Sequence, residues 1–264
     1  MMSDYFLALL LSVIQGLTEF LPVSSSAHLL LPSLLFGAKD FGLIFDIAVH
    51  AGTLLAVIFY FREDLLKIIS AWLPWNSTRN SEDFNLGLNL IIASLPIVFV
   101  GLFFSDLTDS RVHDISSIAW SNLIFGLILF IAFKASKQTD SLLSLTIGSA
   151  LLIGCLQAFA VFPGASRSGM AITGALLVGL TLKDTSKFAF LLSIPTILGA
   201  LVLMMLKDAH AIGSDDLIIL TIGFSVSAVI AFSTIKLFLQ FVESVGMTPF
   251  VIYRAFLGIA LLLL

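Results

Sequence analysis

Apolar runs of membrane-spanning length dominate the chain, and short stretches of charged, proline or glycine residues separate them. A transmembrane helix needs about 20 consecutive apolar residues, and six of the eight runs have that ordinary length. Two runs are longer, and each is interrupted midway. The pattern therefore predicts a polytopic membrane protein. The eight runs are residues 5–36, 41–61, 86–104, 115–133, 142–181, 186–206, 217–242 and 248–264, of which the first and fifth are the long ones.

Small polar residues interrupt both long runs. The first break begins at Pro22 and continues through three serines, and the second break spans Pro163–Gly169. A short polar patch between two apolar arms predicts a re-entrant hairpin, because irregular backbone is tolerated at membrane depth only inside protein or beside a water-filled cavity. Two spanning helices joined by a surface turn are the alternative for each run. The predicted fold is an all-α polytopic membrane protein with six spanning helices and two re-entrant helical hairpins.

The two halves of the chain share one segment order. Pro22 and Pro163 lie 141 residues apart, and the same offset superimposes Ser25 on Ser166. Each break is followed by three spanning helices, and an odd number of spans inverts the second half relative to the first. We therefore predict one integral membrane domain, in which residues 1–134 form the first repeat and residues 135–264 form the second, inverted repeat. Inverted repeats with broken helices are a common plan in transporters.

The positive charges orient this arrangement. The loops at 62–85, 134–141 and 182–187 contain seven Lys and Arg residues, whereas the opposite loops contain only Lys39, Arg111 and Lys207. Because cytoplasmic loops carry the excess of Lys and Arg, both termini are predicted to lie outside the cytoplasm. The first hairpin then enters the membrane from outside and the second from inside.

Composition excludes several other classes of protein. Hydrophobic residues make up 59% of the 264 residues and charged residues 11%, whereas a soluble domain carries about 25% charged residues. A mean hydropathy of +1.10 therefore excludes a cytosolic enzyme and a disordered chain. The net charge of −4 without a basic cluster argues against nucleic acid binding. Cys155 is the only cysteine, so an intrachain disulfide is impossible. The absence of Lys and Arg before Lys39 does not fit a cleaved signal peptide.

Ionisable side chains concentrate at the first break. Gln15 and Glu19 are one helical turn apart on the entering arm, and Ser25 and His28 share a face of the leaving arm. An ionisable side chain at the bilayer centre costs about 2.5–3.5 kcal/mol on insertion scales. Function or tight pairing must therefore offset the cost of Glu19 and His28. The alternative is a Glu–His pair that fastens the hairpin, with the serines as helix caps.

Arg167 occupies a comparable position in the second break. Its planar guanidinium can hold phosphate oxygens with paired donors. The small residues around it let the backbone approach a ligand, and they begin a half-helix whose unpaired N–H groups favour anions. Two such helix ends and one guanidinium at a single point would suit a di- or triphosphate. A snorkelling or carboxylate-paired Arg167 is the alternative.

At these two breaks the chain resembles the undecaprenyl-diphosphatase family, also called bacitracin-resistance proteins. The matching stretches are 15–28 and 163–169, with weaker agreement at 45–57, at Gln157 and at 252–254. The resemblance implies an enzyme of the bacterial inner membrane that removes the terminal phosphate from undecaprenyl diphosphate. The product is the monophosphate carrier for peptidoglycan synthesis. The resemblance also implies six spanning helices, two re-entrant hairpins and an active site open to the periplasm.

The resemblance and the residue chemistry together predict four catalytic residues. Arg167 would stabilise the transferred phosphate, and Ser25 would attack phosphorus with His28 as general base. Attack by His28 or by a water stays an alternative. Glu19 would orient His28, take a proton or hold a divalent cation with the diphosphate. The predicted substrate-binding residues are Gln15, Ser24, Ser26, Gly164, Ser166, Ser168 and Gly169.

Two departures from the family pattern affect the predicted site. Gln15 cannot ionise, and Ala171 stands where many relatives have threonine, which removes one hydroxyl beside the phosphate. Asp46 and His50 are one helical turn apart, so they line the same cavity, bind a cation with Glu19 or form a structural pair. Arg254 is expected to neutralise a buried carboxylate or to touch the substrate.

The predicted partners are a polyprenyl diphosphate and the membrane, and the sequence leaves a homodimer open. The predicted cofactor is a divalent cation, Mg²⁺ or Ca²⁺, with Glu19 as its ligand. A secondary transporter or flippase for a phosphorylated lipid is the rival function, because inverted repeats with helix breaks are typical of that class.

Overall fold

Eleven α-helices make up most of the computed structural model, which describes residues 4–73, 81–103, 114–208 and 217–264. Five of them are long and apolar enough to cross a membrane, namely α3, α5, α6, α9 and α10. The chain is therefore a multi-pass membrane protein. The helices are α1 (Asp4–Thr18), α2 (Ser25–Phe36), α3 (Gly42–Tyr60), α4 (Arg62–Trp72), α5 (Glu82–Phe103), α6 (Ile115–Ala135), α7 (Ile147–Ala158), α8 (Arg167–Leu177), α9 (Leu182–Asp208), α10 (Leu217–Val245) and α11 (Thr248–Leu262).

Helical structure is interrupted where the sequence predicts both breaks. The first interruption separates α1 from α2, and the second separates α7 from α8 after a short 3-10 turn at Phe159–Val161. The sixth predicted span is represented by α11, which has only 15 residues. The all-helical membrane fold is confirmed, whereas the full count of six spans stays a prediction.

One helix was not predicted from the hydropathy pattern. Helix α4 lies in the predicted loop at 62–85, and it packs against α5. An ion pair between Asp64 and Lys187 at 2.5 Å also joins it to α9. Arg79 and Arg111, which contributed to the charge count of the loops, lie outside the described residues, and so does the side chain of Lys207.

The helices of the two halves pair in a reciprocal way. In chain order α1, α2, α3, α5 and α6 correspond to α7, α8, α9, α10 and α11. Helix α1 packs on α10, and its counterpart α7 packs on α5, which is the counterpart of α10. Likewise α3 packs on α10 and α9 packs on α5. These contacts are the ones that two structurally related halves would make.

The serines that precede α2 and α8 have nearly the same unusual backbone conformation. Ser24 has φ 70° and ψ 93°, and Ser166 has φ 71° and ψ 113°. These two serines lie 142 residues apart, one more than the predicted offset of 141 that relates the two prolines. The offsets differ because α2 starts three residues after Pro22 whereas α8 starts four residues after Pro163.

Candidate active site

An ion pair between Glu19 and Arg167 joins the two breaks. Nη2 of Arg167 contacts Oε1 of Glu19, and Nη1 donates to the hydroxyl of Thr196 on α9 at 3.3 Å. The Glu19 side chain is 3% exposed and that of Arg167 is 17% exposed. Arg167 thus has the carboxylate partner that was one of its two predicted alternatives, and this pair brings the two polar segments together.

The second carboxylate oxygen of Glu19 is held by residues of the first half. Oε2 accepts hydrogen bonds from Ser25 Oγ at 2.6 Å and from Gln15 Nε2 at 2.9 Å. Nε2 of His50 lies 3.6 Å from the same oxygen. Glu19 is therefore fixed beside a hydroxyl group, within reach of its proton. Gln15 supports this carboxylate from a fully buried position.

His28 does not contact Ser25 or Glu19 with its ring nitrogens. Nδ1 lies 2.7 Å from the carbonyl oxygen of Ser24, and Nε2 lies 2.5 Å from the hydroxyl of Tyr253. Although Ser25 and His28 share a helix face, the imidazole reaches back to the carbonyl one turn earlier. The geometry therefore gives the predicted Ser25–His28 pair no hydrogen bond, and Glu19 takes that position beside the serine.

A cavity of about 710 Å³ opens above this cluster, a volume within the range of about 300–1,000 Å³ that ligand pockets occupy. Its walls away from the cluster are apolar, and they consist mainly of residues 97–102 on α5 and 195–204 on α9. The cavity thus combines a charged end with an apolar arm, which suits an amphiphilic molecule. Its polar lining residues include Glu19, Ser24, Ser25, Ser26, Asp46, His50, Ser166, Arg167 and Thr196.

The predicted substrate-binding residues divide into two groups. Ser24, Ser26 and Ser166 line the cavity, whereas Gln15, Gly164, Ser168 and Gly169 are not among its lining residues. The second group maintains the breaks. Ser168 Oγ donates to the carbonyl of Leu21 at 2.8 Å, and the amide of Gly169 donates to Ser166 Oγ at 3.1 Å. A Cβ at Gly164 would lie 2.8 Å from the carbonyl oxygen of Ile118.

Arg254 holds the backbone of both breaks. It is fully buried, and its guanidinium donates to the carbonyls of Gly164 at 2.7 Å, Ala165 at 3.0 Å and Pro22 at 3.4 Å. Its Nε donates to the carbonyl of Asn122 on α6 at 3.3 Å. The expected carboxylate partner or substrate contact is therefore replaced by a set of backbone carbonyls.

Sequence reasoning missed two residues of this region. Thr196 follows Pro195 inside α9 and bonds to Arg167, and Tyr253 bonds to His28. Neither has a local signal, because their partners are 29 and 225 residues away in the chain. Ala171 is fully buried within α8, the helix that begins at Arg167.

Carboxylates and histidines do not form a preassembled metal site within the described ranges, where no group of three such residues lies close enough to hold an ion. Mg²⁺, however, is commonly bound by one or two carboxylates together with substrate phosphates. Glu19 and Asp46 line the same cavity. Both carboxylates are therefore of the ligand type that a Mg²⁺ ion bound with a diphosphate would use.

The fold and the cluster define an integral membrane protein with a Glu19–Arg167 ion pair at the charged end of an apolar cavity. The family model described as bacitracin resistance protein BacA matches residues 8–260. The chain belongs to this family.

Curated relatives are similar over nearly the whole chain. The undecaprenyl-diphosphatase of Alcanivorax borkumensis is 45% identical over 263 residues, which cover 98% of both chains. The undecaprenyl-diphosphatase of Teredinibacter turnerae is 44% identical over 262 residues, again 98% of both chains. That of Saccharophagus degradans is 43% identical over 261 residues, which cover 98% of this chain and 97% of the relative.

Proposed function

We propose that this chain hydrolyses undecaprenyl diphosphate to undecaprenyl phosphate and inorganic phosphate. The reaction recycles the lipid carrier for peptidoglycan synthesis and confers resistance to bacitracin. The family membership and three undecaprenyl-diphosphatases at 43–45% identity support this function. The observation that carries it in the structure is the junction of Arg167, Glu19 and Ser25 at one end of an apolar cavity.

Substrate binding replaces the ion pair between Arg167 and Glu19. The terminal phosphate of the diphosphate binds the guanidinium of Arg167, whose paired donors are suited to phosphate oxygens. Helices α2 and α8 begin beside the cavity at Ser25 and Arg167, and their amide groups and dipoles favour the same anion. Loss of the ion pair leaves the hydrogen bond from Ser25 to Glu19 in place, so this carboxylate stays positioned to accept the serine proton.

The proposed chemistry proceeds through a phosphoserine. The Ser25 oxygen forms a bond to the terminal phosphorus while its proton passes to Glu19, over the 2.6 Å hydrogen bond between them. The bridging P–O bond breaks, and undecaprenyl phosphate leaves. A water then attacks the phosphorus of the phosphoserine, and the bond from phosphorus to the serine oxygen breaks. Glu19 returns its proton to the serine oxygen, and the protons of the water leave with the inorganic phosphate. Arg167 stabilises the charge of the transferred group in both steps.

The lipid tail leaves the site along the apolar arm. Leu102 on α5 and Leu198 and Val202 on α9 line this arm, and they are 55%, 52% and 48% exposed at the surface of the helical bundle. A cavity of about 710 Å³ accommodates the diphosphate and the first isoprene units. The remainder of the undecaprenyl chain extends between α5 and α9 into the hydrocarbon of the membrane.

The proposed membrane arrangement has six spanning helices, with α11 as the shortest, and two re-entrant hairpins in inverted repeats. The reciprocal packing of α1 on α10 and α7 on α5 supports the repeat. The cavity extends along α9 from Pro195 to Met204, away from Lys183 and Lys187 near the start of the helix. With those lysines in the cytoplasm, the cavity opens to the periplasm and both termini lie there.

The proposed reaction uses a divalent cation. Glu19 and Asp46 would hold it together with the diphosphate, and it would neutralise part of the phosphate charge. A homodimer stays a prediction.

Phosphate release by the purified protein tests this function. We expect release from undecaprenyl diphosphate, and a loss of at least about 100-fold in Arg167→Ala, since removal of one donor to transition-state charge costs about 10²–10³-fold. Arg62→Ala is the matched control, because Arg62 is exposed on α4. Movement of labelled lipid between leaflets without phosphate release would favour the flippase, which the comparisons do not favour.

A further inference from the structure

His28 and Tyr253 form a hydrogen-bonded pair between the first break and α11. Nδ1 of His28 lies 2.7 Å from the carbonyl oxygen of Ser24, and Nε2 lies 2.5 Å from the Tyr253 hydroxyl. Because a carbonyl only accepts hydrogen bonds, Nδ1 carries the proton, and Nε2 of the neutral ring accepts from the tyrosine. Arg254, the next residue, donates to the carbonyl of Pro22 at 3.4 Å. Helix α11 thus holds the first break through two adjacent side chains.

This pairing directs the imidazole to the backbone and not to the reacting groups. Both nitrogens of His28 have hydrogen-bond partners in Ser24 and Tyr253, and His28 is not among the residues that line the cavity. The hydroxyl of Ser25 already has a proton acceptor, since it donates to Glu19 at 2.6 Å. A second base at this serine is unnecessary.

The carbonyl that His28 holds belongs to a residue in a rare conformation. Ser24 has φ 70°, and non-glycine residues keep such values only where their surroundings enforce them. At the second break Ser166 has φ 71°, and Met170, four residues later, is packed with only 1% exposure. His28 occupies the corresponding position after Ser24 but is only partly buried. At the first break, the hydrogen bond of His28 Nδ1 therefore adds a side-chain contact to the Ser24 carbonyl.

We propose that Tyr253 is a positioning residue, which acts through His28 on the backbone that carries Ser25. The tyrosine hydroxyl fixes the imidazole, the imidazole fixes the Ser24 carbonyl, and the first turn of α2 is thereby oriented. This orientation directs the Ser25 hydroxyl to Glu19. The proposal rests on the proposed phosphatase function, and it gives His28 a role other than general base.

Tyr253→Phe tests the role of the hydroxyl alone. The loss of one hydrogen bond that orients the nucleophile predicts a kcat for phosphate release about three- to tenfold lower. KM should stay unchanged, because Tyr253 does not line the cavity. Tyr5→Phe is the control, since Tyr5 is 54% exposed on α1 and its variant should match the wild type. An unchanged kcat in Tyr253→Phe, or a raised KM with unchanged kcat, would overturn the proposal.

Variants of His28 separate positioning from proton transfer. His28→Asn keeps a side-chain donor for the Ser24 carbonyl but has no base, so it should be more active than His28→Ala. In the His28→Ala background, Tyr253→Phe should cause no further loss. Equal activity of the Asn and Ala variants, or a full additional loss in the double variant, would contradict the role. Lack of phosphate release by the wild type would refute the proposed function instead.

Discussion

Replacement of Arg254 by methionine should separate the two breaks while leaving the cavity side chains intact. The guanidinium makes three hydrogen bonds of 2.7–3.3 Å, to the carbonyls of Gly164, Ala165 and Asn122, and a longer one of 3.4 Å to Pro22. Methionine is similarly long and unbranched, so the packing volume is largely kept. The carbonyls lose their common donor in a region where water cannot easily replace it.

The expected destabilisation follows from these contacts. A hydrogen bond to a charged group contributes about 1.5–3 kcal/mol, so the three shorter bonds contribute roughly 4.5–9 kcal/mol. Methionine carries no charge, so the variant avoids the cost of burying a guanidinium, which is several kcal/mol. This gain offsets part of the sum. We expect a net loss of about 3 kcal/mol, and at about 2–4 °C per kcal/mol for a chain of this size the thermal midpoint should fall by roughly 6–12 °C.

The assay is thermal unfolding of the purified protein in detergent, paired with phosphate release below the midpoint. Arg254→Met should release phosphate at least about tenfold more slowly, because the two breaks no longer share one donor. Arg62→Met is the control, and as an exposed substitution it should change stability by less than about 0.5 kcal/mol. A wild-type midpoint together with wild-type turnover in Arg254→Met would refute the assignment of Arg254 as the link between the breaks.

Three further outcomes follow from the cavity. Glu19→Gln should reduce kcat for phosphate release by about 10²–10⁴-fold, since it removes the proton acceptor of Ser25, and a loss confined to KM would contradict that role. In Gly199→Leu the new side chain starts 3.9 Å from Val98 and extends into the apolar arm, so kcat/KM should fall at least about tenfold, or 1.4 kcal/mol, for undecaprenyl diphosphate but not for a five-carbon prenyl diphosphate. Gly148→Leu on the exposed side of α7 is the control, and equal losses on both substrates would exclude the arm as the tail site. A chelator should abolish phosphate release and Mg²⁺ should restore it, whereas chelator-resistant turnover would exclude the cation.

The membrane fold and both helix breaks could be predicted because hydropathy and helix-breaking residues are local signals. The six-residue gap between Thr18 and Ser25 coincides with the proline and serine cluster. Helix α4 was not predicted, because its 11 residues include charged side chains and are too few to span a membrane. The two prolines and the serines Ser24 and Ser166 give offsets that differ by one residue, because proline marks a break but not the residue at which the next helix begins.

The site residues could be predicted by type but not by partner. Ionisable residues in an apolar segment are costly, so Glu19, Arg167 and Arg254 are conspicuous in the sequence. Their contacts span 148 residues for Glu19 and Arg167 and up to 232 residues for Arg254, and no local pattern encodes such distances. Helical spacing placed Ser25 and His28 on one face, but it could not reveal that Tyr253 on α11 holds the imidazole.

The kinetics of Ser25→Ala, Arg167→Ala and the double variant test most directly whether both breaks act on one diphosphate. Residues that act as a unit show strongly non-additive losses. We predict that each single variant releases phosphate at least about 100-fold more slowly than the wild type, and that the double variant is scarcely slower than the worse single variant. Near-normal turnover in either single variant, or losses that multiply in full, would contradict a common site for the two breaks.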